Sequence, residues 1–172
     1  MRVLHMNGCG NRFAVFDGRE TPWRKSADDV RAVANPHDGK GFDQIIGLES
    51  SVRADVFMRI WNSDGGEVAA CGNASRCVGW LVLNETGKDE ITIETEAGVL
   101  KASRAEGDLI TVDMVSPLLT WESVPLAEKM DTRFVDLKIG PIDNPVLSRP
   151  SCLSMGNPHA TFFVDDIKAY DI

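Results

Sequence analysis

Residues 71–82 read Cys-Gly-Asn-Ala-Ser-Arg-Cys-Val-Gly-Trp-Leu-Val, and this stretch decides the fold because it predicts one buried helix. Its apolar residues recur at i, i+3, i+4, i+7 and i+8, the spacing of a single helix face: Ala74, Cys77, Val78, Leu81 and Val82. Gly87 then supplies a helix stop. The helix is therefore expected to begin near residues 71–73 and to turn one face towards a core.

Short strand-like segments surround that helix on both sides. Apolar patterning predicts strands over residues 2–7, 13–17, 44–49, 56–61, 91–96, 99–104, 109–114, 134–139 and 160–164. A second helix is predicted to start at Ser26 as its N-cap, with Asp28 and Asp29 in the first turn. It should end by Asn35, because Pro36 disfavours helical geometry in the residue before it. Many strands, few helices and short turns predict an α+β fold rather than a doubly wound sheet.

A domain boundary is predicted where prolines interrupt the pattern. Residues 116–125 contain two prolines, so residues 1–116 are expected to form one half and residues 117–172 the start of a second. The second part shows strands but no helix to cover them. Because a sheet with one bare apolar face is not a finished domain, we expect the second half to be truncated.

The composition of the chain argues against several classes of protein. The chain has 172 residues and a net charge of -8, without a cluster of Lys and Arg, which argues against a nucleic-acid partner. No apolar run approaches the roughly 20 residues of a membrane helix, and the N-terminus lacks a signal-peptide pattern. A cytoplasmic location without membrane association is expected, where the four cysteines stay reduced. Their spacing suits zinc poorly, so no metal site is expected. Oligomeric state is left open, with a homodimer as one option.

Cys71 is the first candidate for chemistry. The first amides of a helix lack intrahelical partners and the helix dipole favours negative charge, so a thiol at this position ionises more readily. A buried structural cysteine is the alternative interpretation. Gly72 and Asn73 favour the functional one, since glycine admits a ligand and free amides can hold a carboxylate. The other cysteines are interpreted as core (Cys77), as structural or incidental (Cys9) and as without an assigned role (Cys152).

Side-chain amides form a second group of candidates. Four asparagines lie in or beside glycine turns, and one glutamine begins a strand: Asn11, Asn62, Asn73, Asn157 and Gln44. Each alone could simply satisfy the backbone of its turn. Together, neutral amides can bind both charged groups of a zwitterion without burying an unpaired charge. His159, which follows a proline, could be a proton shuttle or only a loop histidine.

Four motifs, in order along the chain, resemble those of the diaminopimelate epimerase family. Residues 7–13 (NGCGNRF) resemble the family's G-x-G-N-D-F, and residues 39–44 (GKGFDQ) its G-x-G-x-D-Q. Residues 62–67 (NSDGGE) and 71–77 (CGNASRC) are similar to N-x-D-G-S-E and C-G-N-G-A-R-C. Residues 154–159 (SMGNPH) match M-G-N-P-H. The matches span nearly the whole chain, which makes the resemblance strong.

The resemblance implies two pseudo-symmetric α+β halves, each with strands curled round a central helix, and a site in the cleft between them. It implies epimerisation of LL-diaminopimelate to the meso form, a precursor of lysine and peptidoglycan, by two thiols on opposite faces of the α-carbon, with neither pyridoxal nor a metal. Cys71 corresponds to one of these thiols, and His159 to a supporting polar group. The implied contacts to the amino-acid substrate are Asn11, Gln44, Asn62, Gly72, Asn73 and Asn157.

Elementary chemistry agrees with that mechanism, but the sequence departs from the family in three places. Without a cofactor as electron sink, fixed dipoles in a dry cleft must stabilise the charge that develops on the carboxylate. Arg12 stands where the family has an acidic residue, and Ala74-Ser75 replaces Gly-Ala. Family members also continue beyond residue 172, where their second catalytic cysteine lies. We therefore expect this chain alone to be inactive.

Two alternative functions stay open. One is a different amino-acid racemase on the same scaffold, and the other is a non-catalytic half-protein that binds an amino acid.

Overall fold

The computed structural model describes residues 2–21, 25–35, 41–114 and 116–170. The chain divides after Val115 into two compact units, which we call unit 1 (residues 1–115) and unit 2 (residues 116–172). The boundary predicted from the prolines falls one residue further on. Within the described ranges, no helix has the length and apolar character needed to span a membrane.

In the described residues, unit 1 forms a seven-stranded sheet with two helices. The helices are α1 (Ala27–Ala34), after β2, and α2 (Gly72–Thr86), after β4. Strands neighbour one another in chain order, and only β2–β3 and β4–β5, the pairs that enclose a helix, are parallel. The strands are β1 (Arg2–Gly8), β2 (Asn11–Asp17), β3 (Gln44–Glu49), β4 (Val56–Asn62), β5 (Glu90–Thr95), β6 (Gly98–Arg104) and β7 (Ile110–Asp113).

Helix α2 forms the centre of unit 1, as its apolar spacing predicts. Cys71 is its N-cap, and Gly87 ends it in the left-handed conformation at φ 69°, with its N–H donating to the Leu83 carbonyl at 2.9 Å. All five residues of the predicted apolar face are buried. The helix contacts β1 and β7, the two edge strands, as well as β5 and β6. Because one helix contacts both edges of the sheet, the sheet curls round it.

Helix α1 covers the opposite face of the sheet. Ser26 caps it in a capping box with Asp29, and Asn35 ends it, as predicted. Successive residues of a strand point to opposite faces, so Phe13 packs towards α2 while its neighbour Ala14 packs towards α1. The second core therefore consists of helix and sheet residues together: Ala14, Val30, Ala34, Ile45 and Trp61.

The hairpin between β1 and β2 is pressed against the first turn of α2. Cys9 and Gly10 have φ values of 51° and 94°, which makes their loop a two-residue turn of the type that suits a twisted hairpin. A Cβ on Gly8 would lie 2.8 Å from the Asn73 carbonyl oxygen and 2.9 Å from Cys77 Sγ. Only glycine permits this approach, which brings Asn11 to the start of the helix.

Asp55, just before β4, links that strand to β5. Its carboxylate accepts from Lys88 Nζ at 2.5 Å, from the Thr92 N–H at 2.7 Å and from Thr92 Oγ1 at 2.9 Å. The Lys88 hydrogen bond and then the Thr92 amide lower the pKa of Asp55 from its ordinary 3.8 to about 2. The ionised carboxylate is therefore the form that the fold stabilises.

We expect Asp55→Asn to lower the free energy of unfolding at pH 7 by about 0.5–1.5 kcal/mol. Because the pKa is lower in the folded chain than in the unfolded one, this contribution is present above about pH 4 and is lost as the pH falls towards 2. The measurement is urea unfolding of parent and variant between pH 7 and 2.5. Asp108→Asn, at an exposed aspartate that forms no ion pair among the described residues, is the control. A difference between parent and Asp55→Asn that is constant over this pH range would contradict the assignment.

The described part of unit 2, residues 116–170, contains two small sheets and one short 3₁₀ helix, Ile167–Ala169. β8 (Lys138–Ile139) pairs with β9 (Leu147–Ser148), and β10 (Ser151–Ser154) pairs with β11 (Pro158–Thr161), both antiparallel. The buried core of this unit is small: Val124, Val135 and Cys152, with Leu126 and Met130 packed against it.

Two of the strands predicted in unit 2 are wrong in their bounds. The strand predicted over residues 134–139 exists only at its last two residues, because the Asp131 carboxylate accepts the Arg133 N–H and the Asp131 carbonyl accepts the Phe134 N–H, which holds a turn. The strand predicted over residues 160–164 runs instead over Pro158–Thr161, since its partner spans only Ser151–Ser154. β9 and β10 were not predicted at all. The motif residues Gly39 and Lys40, and Pro36, lie outside the described residues.

Candidate active site at the start of helix α2

Cys71 lies at the start of α2, where it is partly buried and packs against the core around that helix. The residue is half-buried, with an extended backbone at φ -153° and ψ 110°. Its Sγ accepts from the Ala74 N–H at 3.5 Å, and its carbonyl accepts from the Ser75 N–H and from Ser75 Oγ, both at 2.9 Å. The sulfur therefore lies beside the first amides of α2, which have no acceptor within the helix.

The other cysteines occupy different environments. Cys77 is buried on the core face of α2, as predicted, and burial, with the nearby Cys71 and Cys9 thiols, raises the pKa of its thiol to about 11. Cys152 is buried in unit 2, and burial raises the pKa of its thiol too. Cys9 is exposed in the β1–β2 turn. In the parts of the chain that the structure describes, no three Cys, His, Asp or Glu side chains come together to hold a metal ion.

Asn11 and Asn73 form one amide pair beside Cys71. Asn73 Nδ2 donates to Asn11 Oδ1 at 2.8 Å, and Arg76 Nη1 donates to Asn73 Oδ1 at 2.9 Å. Asn73 and Arg76 are three residues apart on α2, so their side chains lie on the same face of the helix. This pair attaches the start of β2 to the start of α2.

Gln44 and Asn62 form a second amide pair. Gln44 Nε2 donates to Asn62 Oδ1 at 2.9 Å. The two residues face each other across β3 and β4, and Gln44 is also the register partner of Phe13 in β2. Asn62 opens the turn that the sequence predicts, since its N–H donates to the Gly66 carbonyl at 2.8 Å.

One end of unit 1 therefore collects most of the candidate residues. The starts of β2, β3 and α2 and the end of β4 meet there. Gly72 lies in the first turn of α2, where a Cβ would come within 3.4 Å of Met114 Sδ. The candidates that the fold brings to this end are Cys71, Gly72, Asn73, Asn11, Gln44 and Asn62. Their roles as substrate contacts stay predictions.

Asn157 and His159 lie together in unit 2. His159 Nε2 and Asn157 Oδ1 are 3.2 Å apart, with Asn157 in the short connection between β10 and β11 and His159 in β11. Gly156, with φ 95°, makes that turn, and the Asn157 carbonyl accepts from the Met155 N–H at 3.0 Å. Asn157 is half-buried and His159 is exposed.

Two residues of this region were missed by the sequence reasoning. Asp43 Oδ2 accepts from the Arg12 N–H at 2.7 Å, and the Asp43 N–H donates to the Arg12 carbonyl at 2.9 Å. The exposed Arg12 is thus held through its backbone N–H and carbonyl, which any residue except proline could supply. Arg76 is the other missed residue, and its spacing of three from Asn73 on a helix was the available signal.

A groove of about 850 Å³ opens between β1, α2 and β7. Trp80, Leu109 and Leu4 are among the apolar residues that line it, together with Cys9 and Arg76. Cys71 is not among the lining residues, so we do not assign this groove to the candidate site.

The fold is shared with solved epimerases. The chain resembles a hydroxyproline epimerase from Agrobacterium vitis over 92% of its own length and 50% of that chain, with a TM-score of 0.58 and 19% identity. It also resembles a predicted epimerase from Pseudomonas aeruginosa over 90% of its own length and 54% of that chain, with a TM-score of 0.58 and 18% identity. The predicted α+β class, with strands curled round a central helix, is confirmed: this is an epimerase-type fold.

The sequence identifies the family more closely. The model of the diaminopimelate epimerase family matches residues 3–119. A diaminopimelate epimerase from Phenylobacterium zucineum is 48% identical over 95% of this chain and 58% of that protein. Another, from Afipia carboxidovorans, is 48% identical over 97% of this chain and 59% of that protein. The chain belongs to the diaminopimelate epimerase family, and it spans about three-fifths of the length of these relatives.

Proposed function

We propose that this chain supplies one half of an active site that epimerises LL-diaminopimelate to meso-diaminopimelate, with Cys71 as one of two proton-transfer thiols. The observation that carries the proposal is the position of Cys71 as N-cap of α2, half-buried and adjacent to the Asn11–Asn73 pair. The relatives named diaminopimelate epimerase support the choice of substrate.

The chemistry follows from this position. A thiolate removes the α-proton, the C–H electron pair delocalises into the α-carboxylate, and a thiol on the opposite face returns a proton with inversion of the carbon. The N–H groups of Gly72 and Asn73 begin α2, so they have no intrahelical acceptor and can hold the carboxylate as its charge grows. In this proposal no pyridoxal or metal takes part, since fixed dipoles replace the electron sink.

The second thiol has to come from outside these 172 residues. Cys77 and Cys152 are buried, and burial raises the pKa of both thiols, which opposes proton removal near neutral pH. Cys9 lies exposed in a turn, without the N-cap position that Cys71 has. We therefore assign a single catalytic thiol to this chain, and we propose Asn157 as a further substrate contact and His159 as a supporting polar group.

The isolated chain is expected to form no meso-diaminopimelate from LL-diaminopimelate above the rate without protein, because inversion needs an acid–base group on each face of the α-carbon and this chain supplies one. The measurement is the appearance of the meso isomer, followed by chiral chromatography. The complete Phenylobacterium zucineum enzyme is the positive control. Turnover by the isolated chain that is comparable with this control would refute the assignment of only one thiol. Racemisation of other L-amino acids in a parallel panel would favour a different racemase.

A further inference from the structure

Arg76 lies at one end of a short chain of hydrogen bonds that leads to the candidate site. Its Nη1 donates to Asn73 Oδ1 at 2.9 Å, and Asn73 Nδ2 donates to Asn11 Oδ1 at 2.8 Å. Among the described residues, Asn11 Nδ2 forms no further hydrogen bond. Arg76 thus contacts one substrate-site amide directly and a second one through it.

The chemistry of the Arg76 guanidinium fixes which atoms donate and which accept along this series of hydrogen bonds. A guanidinium can only donate hydrogen bonds, so the atom of Asn73 that faces it must be the amide oxygen. The nitrogen of Asn73 must then face Asn11, which therefore presents its own oxygen to Asn73. The remaining group of Asn11 is its NH₂, a donor. If the Asn73 amide were free to rotate by half a turn, Asn11 could rotate as well and present an oxygen instead.

Arg76 is poorly explained as a stabilising surface residue. It is exposed, and among the described residues it forms no ion pair with a carboxylate. Arg59, by contrast, lies among three carboxylates, those of Glu49, Glu67 and Glu96, as is usual for an arginine that stabilises a sheet surface. Apart from Asn73, Arg76 contacts Cys9 Sγ at 4.0 Å, a weak acceptor.

We propose that Arg76 is a positioning residue that sets the orientation of the Asn73 and Asn11 amides, so that Asn11 offers an N–H donor to the carboxylate of the amino-acid substrate. This inference rests on the proposed function for its ligand and on the hydrogen-bond chain for its geometry. A donor at this point stabilises the charge that develops on the carboxylate, whereas an oxygen would repel it.

Three substitutions separate orientation from packing. Arg76→Lys keeps a group that only donates, Arg76→Gln supplies one that can donate or accept, and Arg76→Met keeps much of the side-chain length but has no donor. Arg53→Met, at an exposed arginine that pairs with Glu94, is the matched control for loss of a surface guanidinium.

The first readout is the solvent exchange of the Asn73 side-chain amide protons, measured by NMR on the 172-residue chain. We expect exchange at the parent rate in Arg76→Lys and Arg53→Met and roughly tenfold faster exchange in Arg76→Met, with Arg76→Gln between them.

The second readout is affinity, measured by NMR titration with LL-diaminopimelate and with 1,5-diaminopentane, which lacks both carboxylates. Arg76→Met is expected to bind LL-diaminopimelate roughly tenfold more weakly than the parent, with rescue in Arg76→Lys and no change for the diamine. Parent-like amide exchange in Arg76→Met would overturn the proposal, as would equal weakening for both ligands. A parent chain that binds neither ligand would contradict the proposed function, while the amide exchange would still decide whether Arg76 orients Asn73.

Discussion

A fusion of residues 1–172 to the C-terminal portion of the Phenylobacterium zucineum relative is expected to exchange the α-proton of LL-diaminopimelate, and Cys71→Ala in that fusion is expected to slow this exchange roughly 10²–10⁴-fold. The relative supplies the two-fifths of its length that this chain does not match. The loss should be large because the half-buried thiol at the N-cap of α2 is the proposed acid–base group on one face of the α-carbon. Alanine also removes the acceptor of the Ala74 N–H, so the effect must be separated from a change in the helix.

Cys71→Ser makes that separation. Serine is a good N-cap and keeps an acceptor for the Ala74 N–H, but its hydroxyl ionises far less readily than a thiol. The exchange rate of this variant should therefore fall nearly as far as that of Cys71→Ala while its thermal unfolding stays close to that of the parent fusion. Cys9→Ser, at the exposed cysteine of the β1–β2 turn, is the control for loss of a thiol and should keep parent-like exchange. Parent-like exchange in Cys71→Ser would remove Cys71 from the reaction.

Unit 1 could be predicted from the sequence because its signals are local. The i, i+3, i+4 spacing of Ala74, Cys77 and Val78 predicts the buried face of α2, and Gly87 ends the helix at the expected residue. The capping box at Ser26 and the alternation along β4 are equally local. Local patterns do not give the curl of the sheet, which only the resemblance to the family implied, because the curl depends on contacts between α2 and the distant strands β1 and β7.

The strands of unit 2 were harder to predict because residues that favour a strand and residues that hold a turn occur in the same segment. Residues 134–139 contain enough apolar side chains to suggest a strand, but the Asp131 carboxylate holds the following backbone in a turn. Phe134 is consequently 61% exposed. Cys152, which received no role, proved to be a core residue of the unpredicted strand β10. The strands of unit 2 are only two to four residues long. Strands this short contain too few residues to show a clear alternation of apolar and polar side chains.

The candidate site was predicted as a set of residue types but not as a set of contacts. The N-cap position of Cys71 followed from the helix pattern, and asparagines beside glycine turns followed from turn chemistry. The pairing of Gln44 with Asn62 depends on the register of β3 and β4, and that of Asn11 with Asn73 on the approach of Gly8 to α2. Both are long-range features, which one sequence does not reveal.

Phe13→Ala is expected to lower the free energy of unfolding of unit 1 by about 3–5 kcal/mol. Phe13 is fully buried between β2 and α2, where its ring lies 3.3 Å from the Cβ position of Gly8. Truncation removes the apolar contacts of the ring and leaves a cavity between strand and helix, which the curled sheet cannot close without moving the hairpin. Because domains are stable by only about 5–15 kcal/mol, a loss of this size takes the variant close to unfolding at ambient temperature.

Urea unfolding followed by circular dichroism measures this loss, and the control is Phe163→Ala in unit 2. Phe163 is 86% exposed, so its truncation should change the free energy of unfolding by no more than about 0.5 kcal/mol. Phe13 is also the register partner of Gln44 and follows Asn11 by two residues, so its loss should loosen the end of the sheet that carries the candidate site. The alkylation rate of Cys71 by iodoacetamide should therefore rise in Phe13→Ala under conditions where the chain is still folded. Equal losses of stability in the two phenylalanine variants would show that the core of unit 1 does not depend on the packing described between β2 and α2.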